Sequence, residues 1–168
     1  LIPTCEETFY VSKIKNELSC RVWTNGFELM VELHHKQRFL GLAKDFFLIP
    51  ATLACTDFDD WKNAEAYVFK PVFSRFASQV IIGQPEQKCQ APRQNPQDWI
   101  AQERLFGQEI CVYSIWRQGQ MGGFAAYRPI QRAGKGASVY FEGFFQQDIF
   151  EEVKKFGEHY QIEGQLSF

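Results

Sequence analysis

Paired cysteines, long apolar runs and an excess of one charge are what this sequence lacks. Its five cysteines (Cys5, Cys20, Cys55, Cys89 and Cys111) are spread along 168 residues with no C-x-x-C pair, whereas a disulfide framework or a thiolate zinc site clusters them. Reduced thiols in a cytoplasmic protein are the expectation. No window approaches the ~20 uninterrupted apolar residues that a membrane-spanning helix requires. No basic stretch followed by an apolar one opens the chain as a secretory signal does. The formal net charge is only −2, which argues against a surface built to neutralise a nucleic-acid backbone. Neither G-x-x-x-x-G-K-S/T nor G-x-G-x-x-G occurs, so a P-loop and a dinucleotide fingerprint are both excluded. His34 and His35 are adjacent, and at about 100° apart on a helix they cannot chelate one metal from one face. Leu1 stands where a Met would, and the last residues alternate as a strand does without a turn signal. The chain reads as a piece of a longer protein.

Aromatic residues are what the sequence has in quantity: 17 Phe, 6 Tyr and 4 Trp. That much apolar surface excludes disorder, and a chain of this length buries roughly 70% of its surface on folding. The rings follow core periodicity, which argues against a stacking platform for single-stranded RNA. Asn25-Gly26, between two strand-like runs, predicts a hairpin. Phe39, Leu40, Ala43, Phe46 and Phe47 fall on one face of a helix over 34–47. The segment 66–73, "AYVFKPVF", reads as a strand. Residues 83–97 hold three of the seven prolines and predict a loop or an internal insertion separating one small unit from the next. From Trp99 the pattern is β, with a hairpin turning at Gln118-Gly119. Asp148 and Glu151 form a capping box before a helix whose Ile149, Phe150, Val153, Phe156 and Tyr160 share a face. About eight strands and two long helices predict an α+β fold with helices packed on antiparallel sheets.

Two segments carry chemistry. Lys70 lies inside an apolar strand, where an unpartnered ammonium is costly. It either sits on an edge with its head in water or projects into a pocket for an anion. The Ser-rich run behind it, with Ser74 and Ser78, is suited to closing over such an anion with hydroxyls and backbone N–H groups. In the second segment, 99–109, Glu103 and Glu109 flank Gly107. They are either two solvated acids around a turn, or part of a strand-linker-strand that offers backbone groups to a flat ring and a carboxylate to vicinal hydroxyls. Arg128, Arg132 and Lys135 form a basic run between strands, either solvated or directed at a substrate anion.

Taken in order, "LHHK" (33–36), "FKPVFSRFASQV" (69–80), "WIAQERLFGQEICVYSI" (99–115), "MGGFAAYRPIQRAGKGASVYFE" (121–142) and the final helix and strand resemble the ATP-grasp superfamily over nearly the whole chain. The resemblance implies ATP-grasp-type antiparallel sheets, incomplete at both ends. Residues 1–65 would be a linker and part of a central domain, and 66–168 a nucleotide-clamping domain. Lys36 and Lys70 would hold the phosphates of ATP, with Ser74 and Ser78 in the covering loop. Gln102, Glu103, Arg104 and Leu105 belong to a Q-E-x-x-x-G-x-E hinge that meets the adenine edge, largely through backbone. Glu109 would take the ribose hydroxyls, and Arg128 an anion near the phosphates. The parent enzyme would activate a small carboxylate as an acyl-phosphate and join it to an amine or other nucleophile, with Mg²⁺ bridging the phosphates. The metal-ligating acids of the family lie beyond a strand like 162–168, so no metal ligand is expected in this chain and the piece alone is expected not to turn over. The competing expectation is a nucleotide-binding or assembly module without catalysis.

Overall fold

A computed structural model describes residues 1–4, 7–74, 79–133 and 137–168. Three short helices come first: α1 (Glu7–Ile14), α2 (Phe27–His34) and α3 (Lys36–Ala43). β1 (Thr52–Ala54) follows, then a helical turn over Trp61–Ala66, β2 (Tyr67–Pro71) and β3 (Ile81–Ile82). A short helix α4 (Gln90–Gln94) precedes β4 (Trp99–Glu103). The remainder is β5 (Cys111–Arg117), β6 (Gln120–Ala133), β7 (Ala137–Phe144), the long helix α5 (Gln147–His159) and β8 (Gly164–Ser167). The strands form two four-stranded antiparallel sheets, ordered β1-β4-β2-β3 and β7-β6-β5-β8. The expected α+β class is what the structure has. Among the described residues, no helix is long and apolar enough to cross a membrane.

Each sheet buries one face. In the first, Phe69 and Ala101 lie opposite one another across β2 and β4, and both are buried with Cys55, Phe58, Cys89 and Trp99. Phe58 packs edge-on against Trp61, Tyr67 and Phe69, and Trp61 stacks flat on Phe69 at 5.4 Å. In the second, Val112, Trp116, Ala126 and Leu166 face Val153 and Phe156 of α5, with Leu33, Phe39 and Phe47 packed alongside. Period-2 alternation on the strands and i, i+3 spacing on α5 put these residues on common faces. The β5–β6 turn has Gln118 and Gly119 both at positive φ, the twist that suits a two-residue hairpin.

Several expectations are corrected. Asn25-Gly26 is not a hairpin turn: Gly26 precedes α2, and Asn25, buried, accepts the Glu163 N–H at 2.8 Å through Oδ1. Its side chain is spent on a distant strand instead of a local turn. The helix expected over 34–47 is shorter: α3 covers Lys36–Ala43, His35 before it is extended, and Phe46 and Phe47 lie past its end; α5 alone is long among the described helices. The run 83–97 is not a separating loop. It holds short helical turns whose fully buried Cys89 and buried Pro92 close the first core, and β4 behind it returns to pair with both β1 and β2. The Asp148–Glu151 capping box does not form. The cap position is Gln146, without a side-chain bond, and Glu151 accepts from Gln147 Nε2 at 2.8 Å.

Candidate functional site

The first sheet's other face is the site's floor. Because side chains alternate along a strand, Val68 and Lys70 share the face opposite Phe69, and Gln102 lies directly across from Val68 on β4. Ile82 of β3 is Val68's other neighbour. β4 ends at Glu103 and β5 begins at Cys111, so residues 104–110 leave the sheet ladder and curl over this face. Together they bound a cavity of about 700 Å³, lined by Lys36, Pro50, Val68, Lys70, Ser74, Val80, Ile82, the run 102–107 and Glu109.

Lys70 is half-buried, and its Nζ donates to Gln102 Oε1 at 2.6 Å. Burial holds its pKa below the ordinary lysine value, the direction expected when a charged form is desolvated. Lys36, the first residue of α3, donates its backbone N–H to Val72 O at 3.0 Å. Its Nζ donates to both the carbonyl and the hydroxyl oxygen of Ser74 at 2.9 Å. That ties the start of α3 to the chain leaving β2 and brings both ammonium groups to one cavity.

The hinge is fixed on one side and bare on the other. Glu103 Oε1 accepts from Ala51 N at 3.0 Å, and the Glu103 N–H donates to Ala51 O at 2.9 Å. Arg104 N donates to Ala66 O at 2.9 Å. The Arg104 guanidinium lies 4.7 Å over the Phe106 ring. It also passes so close to Gly83, at φ +53°, that a Cβ there would stand 2.1 Å from Arg104 Nη1. The positive φ favours glycine there, and a larger residue would push the Arg104 head aside. Leu105 and Phe106 are 67% and 81% exposed, unusual for large apolar side chains lining a cavity. Glu109 pairs with Arg132 of β6.

The cavity therefore brings together Lys36, Lys70, Ser74, Gln102, Glu103, Arg104, Leu105 and Glu109. Arg128 does not line it: its guanidinium lies 4.3 Å over the Phe144 ring, and its Nε is buried without a hydrogen-bond partner among the described residues. Ser78, with Arg75, Phe76 and Ala77 of the same loop, lies outside the described residues, as does Lys135. Pro50, Val68, Val80, Ile82 and Phe106 are lining residues that the sequence reading did not single out. Val68 had a signal, standing two residues before Lys70 on the same strand face.

Magnesium does not fit the residues present. The cavity's carboxylates are Glu103 and Glu109, one engaged by a backbone N–H and the other by Arg132. No three His, Cys, Asp or Glu side chains converge among the described residues. Mg²⁺ is held through carboxylates, phosphate oxygens and several waters, and no converging set of such acids is found among the described residues.

No protein-family model matches the sequence, and no curated protein matches it. Solved structures do match the fold. An L-amino acid ligase from Bacillus licheniformis superposes with a TM-score of 0.67 at 16% identity, over 95% of this chain and 41% of its own. A D-alanine–D-alanine ligase from Bacillus anthracis, complexed with ATP, gives 0.63 at 10% identity, over 94% and 56%. The ATP-grasp ligase PsnB, complexed with a minimal precursor, Mg and ADP, gives 0.59 at 16% identity, over 96% and 53%. The two four-stranded antiparallel sheets, joined through residues 104–110, have the ATP-grasp fold. This chain spans about half the length of the ligases it resembles.

Proposed function

We propose that this chain is the nucleotide-clamping part of an ATP-dependent ligase, one that activates a carboxylate as an acyl-phosphate for capture by an amine or other nucleophile. The observation that carries the reading is the arrangement along β2. Glu103 lies opposite Tyr67, whereas Lys70 is three residues further along the strand, about 10 Å away at the usual rise. That matches the span from a purine ring to the β-phosphate of an extended nucleotide.

The residues divide the work accordingly. Off-ladder backbone at 104–105 supplies the donor and acceptor that an adenine edge needs, with Val68 and Ile82 against the ring face. Glu109 takes the ribose hydroxyls in exchange for Arg132. Lys36 and Lys70 hold the phosphates, stabilising charge as it moves during transfer. Lys70 stands in a partly desolvated site where its attraction for phosphate is less screened than in water. The ligation step and its acid and amine belong to the whole protein and are inferred from the fold's other members.

The test is calorimetric titration of ATP and adenosine into the chain and into Lys70→Ala. Removing a charge-assisted hydrogen bond costs about 1.5–3 kcal/mol, so ATP affinity falls by tenfold or more while adenosine affinity hardly moves. Equal losses for the two ligands overturn the phosphate role.

A further inference from the structure

Resting on the nucleotide reading above, we infer that Thr52 of β1 is a positioning residue for Lys70, acting through the side-chain amide of Gln102. Three hydrogen bonds form a directed chain. The Thr52 hydroxyl donates to Pro50 O at 2.9 Å, Gln102 Nε2 donates to Thr52 Oγ1 at 2.9 Å, and Lys70 Nζ donates to Gln102 Oε1 at 2.6 Å. A threonine hydroxyl has one proton. With that proton spent on Pro50, Oγ1 faces Gln102 as an acceptor only, and the amide must turn its NH₂ toward Thr52. Its oxygen is then left facing Lys70. The opposite amide orientation would set NH₂ against the ammonium, donor facing donor, and the amide oxygen against a hydroxyl oxygen whose proton is already spent on Pro50, acceptor facing acceptor.

The sheet makes the chain possible. Thr52 is registered directly across from Gln102, and Gln102 across from Val68, two residues from Lys70 on the same face. Pro50 has its φ fixed by its ring, and it lines the nucleotide cavity itself. A lysine side chain held by such a chain has lost much of its rotamer freedom before any ligand arrives, so the nucleotide meets an ammonium already in place. Preorganisation of this kind appears as affinity for the group the lysine binds and not for the rest of the ligand.

The experiment titrates ATP and adenosine into the chain and into Thr52→Val, Thr52→Ser, Lys70→Ala and the Thr52→Val/Lys70→Ala double variant. Valine keeps the β-branched shape of threonine and removes both hydrogen-bonding functions. The expected result is an ATP affinity lowered about fivefold by Thr52→Val, the order of one neutral hydrogen bond, with adenosine affinity unchanged. Thr52→Ser restores ATP affinity, and Thr52→Val adds nothing in the Lys70→Ala background, as coupling through one partner requires. Should Thr52→Val not fold, Thr52→Ala must show the same selectivity. Equal losses of ATP and adenosine, or losses that add to those of Lys70→Ala, overturn the relay and leave Thr52 as a packing residue of β1. If Lys70→Ala itself fails to separate ATP from adenosine, the nucleotide reading falls and the relay falls with it.

Discussion

Replacing Gly157 by alanine is expected to destabilise the fold, against the usual trend for a helix. Inside a helix, Gly→Ala normally gains about 0.5–1 kcal/mol from backbone entropy and propensity. Gly157 lies in α5, where a Cβ would stand 2.2, 2.3 and 2.5 Å from Cη2, Cζ2 and Cζ3 of Trp116. Carbon atoms pack at roughly 3.5–4.0 Å, so the ring or the helix must move by more than 1 Å (roughly, against that contact distance). The ring has little freedom to do so. Trp116 is fully buried, and its Nε1 donates to Ser114 Oγ at 2.8 Å, which in turn donates to Leu166 O at 3.2 Å. Overpacking of this kind costs about 1–3 kcal/mol, occasionally more, which outweighs the propensity gain and leaves a net loss of about 1–2 kcal/mol. For a domain of this size that is a fall in Tm of several degrees, at about 2–4 °C per kcal/mol. Thermal and urea unfolding followed by tryptophan fluorescence measure it. A Gly157→Ala chain as stable as the parent, or more so, would refute the placement of α5 on Trp116.

Two further predictions concern the site. Glu109→Gln lowers ATP affinity, by a loss typical of a charge-assisted hydrogen bond of about 1.5–3 kcal/mol, but leaves affinity for 2′,3′-dideoxy-ATP almost unchanged, since the hydroxyl donors are already gone. An equal penalty on both nucleotides makes Glu109 structural. Lys70, with a folded-state pKa lowered by burial, binds fewer protons folded than unfolded in the window just below the ordinary lysine value. Stability therefore rises with pH there, and the Tm of the chain climbs relative to Lys70→Met as pH is raised toward the ordinary lysine value. Parallel curves for the two contradict the burial of this ammonium.

Where local chemistry decides the conformation, the residues showed it beforehand. Gln118-Gly119 turns as a hairpin, Lys70 sits on the strand its neighbours predict, and Ile149, Val153 and Phe156 mark the packed face of α5. Where a distant partner decides, local pattern misleads. Asn25-Gly26 carries a turn signal, yet the Asn25 side chain is committed to Glu163, and the apolar spacing of Leu29 and Leu33 then builds a helix against the second core. The proline-rich 83–97 run looked like a linker because its apolar content is low. Only Cys89 and Pro92 are buried in it, and the stacking of Arg93 on Trp61 at 5.2 Å helps hold it down. At the site, Lys70 stood out because a lysine is out of place in an apolar strand, whereas Lys36 and the 102–105 segment were indicated only by the family resemblance; the structure sets all of them on one cavity. Thr52 was not legible, since its partner Gln102 is fifty residues away. The basic run gave no means of telling Arg128, which lies on Phe144, from Arg132, which reaches Glu109.

Where a nucleotide binds is the most direct test of the site. A crystal structure of the purified chain with a non-hydrolysable ATP analogue is predicted to show adenine between Val68 and Ile82 and the 104–106 hinge. The ribose hydroxyls should lie on Glu109, with Arg132 released, and the phosphates on the Lys36 and Lys70 ammonium groups. A nucleotide seated outside this cavity, or a reversed one with its phosphates at the hinge, would contradict the account.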